Sequence, residues 1–342
     1  MPAPKIARSV QGLLWLAVLW TFGLLMLGAW VRLHDAGLGC PDWPGCYGHI
    51  AVPEAPHEIA RATAQFGGTV EPDKGWKEMI HRYAAGGLGM LMLALTFALL
   101  FTRKAARPPL WLILAPPLVI VFQALLGMWT VTLKLMPVVV TSHLIGGMSM
   151  LALLAALAAR STLAPLKLPA ATQSLTVLAL VVVAAQIVLG GWVSTNYAGL
   201  ACDGFPACRG SFSPAPGLLE ALRPDRALGM TAQGGPLNID HLAAIHWLHR
   251  CGAVLVTLAV LALVARLWRT ARPQALWLLA ALMAQIALGI ANVEMSLPLP
   301  LAVAHNGGAA VLLLALITLI ARLRGQKETH GYANAGRAFA LR

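Results

Sequence analysis

Residues 173–195 read QSLTVLALVVVAAQIVLGGWVST. The run contains no Asp, Glu, Lys, Arg or His, and as a helix rising about 1.5 Å per residue it is long enough to cross a hydrocarbon layer of about 30 Å. Its apolar residues are continuous and do not alternate, which rules out a strand of an outer-membrane barrel. Seven further stretches of the same kind lie at 11–31, 79–101, 110–131, 137–159, 242–265, 274–293 and 299–321. The whole 342-residue chain agrees: 58% of it is hydrophobic, 11% is charged, and the mean hydropathy is +0.73. A soluble domain carries about 25% charged residues, so soluble and disordered classes are excluded. The expected fold class is an all-α polytopic membrane protein with eight transmembrane helices. The first stretch is too long for the apolar part of a signal peptide and no small-residue cleavage site follows it, so it reads as a retained span. The short N-terminus also lacks the features of a mitochondrial transit sequence.

The net charge of +12 would suggest nucleic acid in a soluble protein. Here the basic residues collect in alternate connections instead. Lys5 and Arg8, Arg103, Lys104 and Arg107, Arg160 and Lys167, Arg266, Arg269 and Arg272, and finally Arg322, Arg324, Lys327, Arg337 and Arg342 all fall on one side. The positive-inside rule makes that side cytoplasmic and places both termini there. Two long loops, 32–77 and 196–241, then face outward, and the three short cytoplasmic connections predict antiparallel neighbouring helices. No P-loop, dinucleotide fingerprint, zinc-finger spacing or metalloprotease motif is present.

The run at 173–195 leads into the second outer loop, and there the chain repeats itself. Residues 28–48 (GAWVRLHDAGLGCPDWPGCYG) and 190–210 (GGWVSTNYAGLACDGFPACRG) match at ten of 21 positions without a gap, at an offset of 162. Gln123-Ala-Leu-Leu-Gly127 and Gln285-Ile-Ala-Leu-Gly289 keep that offset, as do His143 and His305. Ile80-His-Arg82 and Leu248-His-Arg250 match at 168. Four spans separate the copies, so both have the same orientation and a pseudo-two-fold axis along the membrane normal. The expected organisation is an N-terminal four-helix bundle over 11–159 with outer loop 32–77, a C-terminal bundle over 173–321 with outer loop 196–241, and a basic cytoplasmic tail over 322–342.

Cys40 and Cys46 lie in the first outer loop, and Cys202 and Cys208 at matching places in the second. An oxidising outer face makes two disulfides the expectation, either as local braces or as redox-active pairs. Zinc is disfavoured because no C-x-x-C spacing occurs. Cys251, within the sixth span, reads as a small core residue.

His81, His143, His249 and His305 sit near the outer ends of the second, fourth, sixth and eighth spans. An ionisable group inside a membrane is costly and points to function, and four at repeated positions argue against chance core histidines. Two imidazoles facing each other across a bundle can take both axial positions of a haem iron. Zinc would need more ligands, and a proton relay would mix in carboxylates, of which the spans hold few. Glycines follow each histidine, suiting either a flat macrocycle or close helix packing. The halves differ at one place: Glu78 precedes His81 by three residues, and His246 precedes His249 by three. Glu78 is a candidate for proton transfer or for stabilising positive charge; it could equally be the i,i+4 ion-pair partner of Arg82. Arg82 and Arg250 could hold haem propionates or anchor helix ends.

Taken together, GLGCPDWPGC at 37–46, EMIHR at 78–82, His143, HWLHR at 246–250 and HNGG at 305–308 resemble the haem A synthase, or Cox15/CtaA, family over about 11–322. The resemblance implies oxidation of the C8 methyl of haem O to a formyl group, giving haem A for terminal oxidases. It further implies that His81 and His143 flank the substrate haem, that His249 and His305 ligate a resident haem b, and that Glu78 is the family's catalytic carboxylate beside the substrate-side histidine. Cys40–Cys46 would be the family's outer-loop disulfide; the pair Cys202 and Cys208 is not found in every member. The implied setting is a bacterial plasma (inner) membrane, with haem O synthase (protohaem farnesyltransferase) and terminal oxidase assembly as partners, the lipid bilayer around it, no nucleic acid, and room for a homo-oligomer. The rival reading from the same histidines is a dihaem b-type cytochrome moving electrons between quinol and a partner.

Overall fold

A computed structural model describes residues 7–106, 109–213 and 216–323. Lys5, Arg107 and the tail beyond Leu323, with Arg324, Lys327, Arg337 and Arg342, lie outside the described residues. Among the described residues the structure is all-helical, with eight helices long and apolar enough to cross a membrane. These are α1 (Arg8–Leu33), α3 (Pro72–Ala106), α4 (Leu110–Thr132), α5 (Pro137–Thr162), α6 (Ala170–Thr195), α8 (Ile239–Leu267), α9 (Arg272–Glu294) and α10 (Leu299–Leu323); α2 (Pro56–Phe66) and the single turn α7 (Leu218–Ala221) lie in the long loops.

Each expected apolar stretch lies within one of these helices. The largest difference in extent is at α3, which starts seven residues earlier than hydropathy alone suggested. Pro72 opens it, and Lys74 and Lys77 pair with Glu71 and Asp73, so its polar first turns are stabilised as helix outside the apolar layer. The loop helix α2 was not anticipated. Pro56 sits in its first turn, and the Glu58 carboxylate accepts the Ala55 and Glu54 N–H groups at 3.1 and 3.2 Å. Glu58 is accordingly held below the usual carboxylate range by the Ala55 and Glu54 amides. Gly67, at φ 71°, ends the helix.

The helix contacts form two rings. In the first, α1 packs on α3 and α5 while α4 packs on those same two helices; in the second, α6 packs on α8 and α10 while α9 packs on those two. The rings meet where α5 contacts α6 and α10, and where α1 contacts α10. The short connections join helices that touch: α3 with α4, α5 with α6, and α8 with α9. One apolar core, including Leu14, Leu151, Leu154, Leu263 and Leu316, runs through both rings. Met90, Phe101, Val121 and Trp277 point outward, as lipid-facing residues do.

The backbone repeats as the sequence does. Among the described residues, the non-glycine positions with positive φ fall into four pairs 162 apart: Asp35 and Tyr197, Tyr47 and Arg209, Lys134 and Ser296, Leu135 and Leu297. Left-handed backbone is uncommon for such side chains, so its recurrence marks a repeat of conformation. Arg32 donates to the Ser194 carbonyl at 2.9 Å and the Tyr197 hydroxyl to Asp35 Oδ1 at 2.8 Å, each joining residues 162 apart. A two-fold axis brings equivalent residues opposite each other, so these contacts are compatible with two tandem bundles.

Candidate functional site

Each of the four intramembrane histidines lies over a glycine of the helix that precedes it among the spans. A Cβ built on Gly28 of α1 would stand 3.1 Å from His81 Nε2. On Gly190 of α6 it would stand 3.1 Å from His249 Cε1, on Gly289 of α9 3.1 Å from His305 Cε1, and on Gly127 of α4 3.7 Å from His143 Cε1. The glycines let the rings lie against a neighbouring backbone. Two of the four rings, His81 and His143, approach to 6.5 Å between centroids. A metal bonded at about 2 Å to one nitrogen of each of two imidazoles would put their centres at about 6 Å, so this pair fits one iron between them. The Nδ1 atoms of His143 and His305 are buried without a hydrogen-bond partner among the described residues. That leaves each of those rings an N–H free to donate to a nearby acceptor once its other nitrogen binds metal. The donor set therefore fits a haem in either half.

Above His81 the first outer loop folds down onto α3. Cys40 and Cys46 are joined, as are Cys202 and Cys208. Cys40, Cys46 and Cys202 have no solvent exposure and Cys208 is 7% exposed, which favours bracing over exchange with outside thiols. Cys40 Sγ lies 3.8 Å from the Gly75 carbonyl, and Cys202 Sγ lies 3.8 Å from the equivalent Ala243 carbonyl. Each disulfide thus rests one turn before Glu78 or His246. Gly39 explains how the loop comes so close: a Cβ there would stand 2.5 Å from the Lys74 carbonyl carbon. Cys251 carries a free thiol and is half-buried.

Glu78 is 7% exposed. Its Oε2 accepts the Cys40 N–H at 3.0 Å, and its Oε1 is ion-paired with Arg82 Nη2. Arg82 Nη1 in turn donates to the carbonyls of Asp42, Pro44 and Gly45 at 3.0, 3.2 and 2.5 Å. Arg250 does the same in the other half, reaching the Ala207 carbonyl at 3.0 Å and Pro206 at 3.4 Å. Both guanidiniums, expected at haem propionates or at the interface, are placed on the cysteine loops. His246 is buried at the position equivalent to Glu78, with Nδ1 unpaired.

Three residues beside the histidines escaped the sequence reading. Gln123 Nε2 donates to the His143 carbonyl at 2.9 Å and Gln186 Nε2 to the His249 carbonyl at 2.9 Å; Gln285 Nε2 lies 3.4 Å from His305 Nε2. The sequence marks Gln123 and Gln285 only as repeat matches; the shared feature, a glutamine one turn before each of Gly127, Gly190 and Gly289, is the signal that points to them.

An all-helical membrane protein whose described residues form eight spans, with histidines in the spans beneath disulfide-braced long loops, is the class that fold and site define. The chain belongs to the COX15-CtaA family, described as cytochrome oxidase assembly protein, whose model matches residues 11–317. It is 46% identical over 317 residues to the haem A synthase of Shewanella oneidensis, covering 90% of this chain and 94% of that one. It is 31% identical over 340 residues to the haem A synthase of Rhodospirillum centenum, covering 89% and 85% respectively.

Proposed function

We infer that this protein oxidises the C8 methyl of haem O to a formyl group, yielding haem A for terminal oxidases. The observation that carries this is the one-sided carboxylate. Two histidine pairs stand in equivalent places, and only the N-terminal pair has a buried, doubly held Glu78 one turn away. A dihaem electron carrier has no use for that difference, so it is the less favoured reading. His81 and His143 hold the substrate haem O in the N-terminal bundle over 11–159. His249 and His305 hold a resident haem b in the C-terminal bundle over 173–321. When bound there, that second haem supplies an electron sink within the same chain.

Glu78 is the catalytic group. Turning a methyl into a formyl withdraws electrons and releases protons, and a fixed carboxylate on the outer side can stabilise developing positive charge or receive a proton at Oε1 or Oε2. Arg82 and the Cys40 amide hold that carboxylate in one position, and the Cys40–Cys46 brace holds the amide. Low-dielectric surroundings strengthen both interactions. Arg250 and Cys202–Cys208 give the C-terminal loop the same shape without a carboxylate. The basic residues Arg8, Arg160, Lys167, Arg266, Arg269, Arg272 and Arg322 at one set of helix ends support a reading with both termini on the cytoplasmic side of a bacterial plasma membrane. The substrate then comes from haem O synthase, and the product passes to oxidase assembly. Co-expression with a haem O synthase, followed by chromatography of extracted haem, tests the reading. Haem A in those cells and none in cells lacking this chain supports it; haem O alone overturns it.

A further inference from the structure

Three of the four histidines share a device that the fourth lacks. Gln123 and Gly127 on α4, Gln186 and Gly190 on α6, and Gln285 and Gly289 on α9 are spaced four apart, so each glutamine and its glycine share one helix face. The glycine lies under the histidine ring, and the glutamine reaches the same histidine's carbonyl or ring. Three residues after each of these histidines comes another glycine, Gly146, Gly252 or Gly308. A Cβ at any of the three would collide with the amide oxygen of Gln123, Gln186 or Gln285. The glycine clears room for the amide, and the amide grips the ligand helix.

At His81 both parts are missing. The equivalent stretch of α1 is Leu24-Leu-Met-Leu-Gly28, with Leu24 in place of glutamine, and Ala84 stands three residues after His81 in place of glycine. The Ala84 carbonyl takes an indole N–H from Trp20 at 3.1 Å instead. A buried amide in a membrane is costly, and the oxygens of Gln123, Gln186 and Gln285 have no partner among the described residues. Keeping three such amides and losing both the fourth amide and its clearing glycine is a coordinated change. Gln123 and Gln186 grip their histidines by the main-chain carbonyl, which leaves ring nitrogens free for metal, Gln186 also lies 3.0 Å from His249 Nδ1, and Gln285 occupies the equivalent place beside His305; partners of metal-ligating histidines typically alter metal affinity about 10–100-fold.

We propose that Gln123, Gln186 and Gln285 are positioning residues that fix His143, His249 and His305, and that His81, which lacks such a residue, is the histidine that yields to an added ligand. The inference rests on the functional reading above. A haem held by His81 and His143 would then exchange a neutral ligand on the His81 side, beside Glu78, with His143 retained and no electrons transferred.

The test uses purified, haem-loaded full-length protein, reduced with dithionite and titrated with carbon monoxide by difference absorption. Carbon monoxide should bind the haem held by His81 and His143 and leave the other unchanged. Leu24→Gln with Ala84→Gly restores the missing device and should weaken that binding between about tenfold and a hundredfold. Gln186→Leu should make the second haem reactive to carbon monoxide by a similar factor, so the proposal is decided even where the double variant does not fold. Haem absorbance and melting temperature measured alongside separate a ligand effect from general loosening. Carbon monoxide binding first at the His249 and His305 haem overturns the proposal, as does unchanged affinity in both variants while haem O is still converted. A chain that holds no haem at His81 and His143 overturns the functional reading and this inference together.

Discussion

Replacing Glu78 with Gln separates charge from shape at the one place where the halves differ most. The amide oxygen of Gln can still accept the Cys40 N–H now held at 3.0 Å. What is lost is the charge facing Arg82 and the acceptor for its Nη2, because the amide NH2 then stands where Oε1 stood. Abandoning a buried charge typically costs 3–5 kcal/mol, but Arg82 is not abandoned, because the Asp42, Pro44 and Gly45 carbonyls remain on its Nη1. The cost to folding should therefore be nearer the 1–3 kcal/mol of one lost charged hydrogen bond. Losing a positioned acid–base group slows a reaction about 10²–10⁴-fold, which is about 3–5 kcal/mol in the barrier. The variant should thus be folded and loaded with haem, yet accumulate haem O or a hydroxylated intermediate. Extracted haems separated by chromatography at fixed times, normalised to protein and to resident haem, measure the effect. An unchanged rate of haem A formation would refute the reasoning and leave Glu78 as only the anchor for Arg82 and the cysteine loop.

The other expectations concern the ligands and what surrounds them. His249→Ala or His305→Ala should lower resident haem b, whereas His81→Ala or His143→Ala should stop turnover with that haem retained; the opposite pattern in absorbance spectra would exchange the roles of the halves. Gly190→Ala should shift or weaken the haem spectrum, because its Cβ would stand 3.1 Å from His249 Cε1, while Gly127→Ala, at 3.7 Å from His143, should be tolerated; equal effects would mean that the glycines are there for helix packing alone. Cys40→Ala with Cys46→Ala should reduce activity more than Cys202→Ala with Cys208→Ala, since only the first loop holds Glu78; similar losses would show that both braces serve stability only.

Much of this was legible in the chain. Spans of about 20 apolar residues have few alternatives in a membrane, so eight helices followed from hydropathy, and the repeat of GLGC and GLAC placed the disulfides. Histidines in apolar runs stand out for the same reason. The loop helix α2 did not stand out, because its signal is a proline and one glutamate in a polar segment. Arg82 and Arg250 were legible as important but not in their partners: a guanidinium satisfied by backbone carbonyls leaves no mark on the sequence, since carbonyls belong to every residue. The glutamines were hidden by their neighbours, as one amide in an apolar run reads as a tolerated exception until its distance to a histidine is known.

The duplication itself sorts the residues. Features present in both halves are a glycine under each histidine, an arginine on each cysteine loop, a disulfide over each second helix, and the same left-handed residues at the turns; under the proposed function they serve what both halves share, the holding of a flat group. Features present in one half only must serve something else. Glu78 against His246, Leu24 against Gln186, Ala84 against Gly252, and Gly39 against Ala201 are four such differences. They come from α1, α3 and the loop between them, yet all lie beside His81 or on the loop that covers it. The halves also differ elsewhere, as at Leu144 and Ile145 after His143 against Asn306 and Gly307 after His305. What sets the His81 differences apart is their chemistry: they add a carboxylate, remove a buried amide with the glycine that makes room for it, and bring a loop into backbone contact, which is why the proposed chemistry is assigned to the Glu78 end of α3.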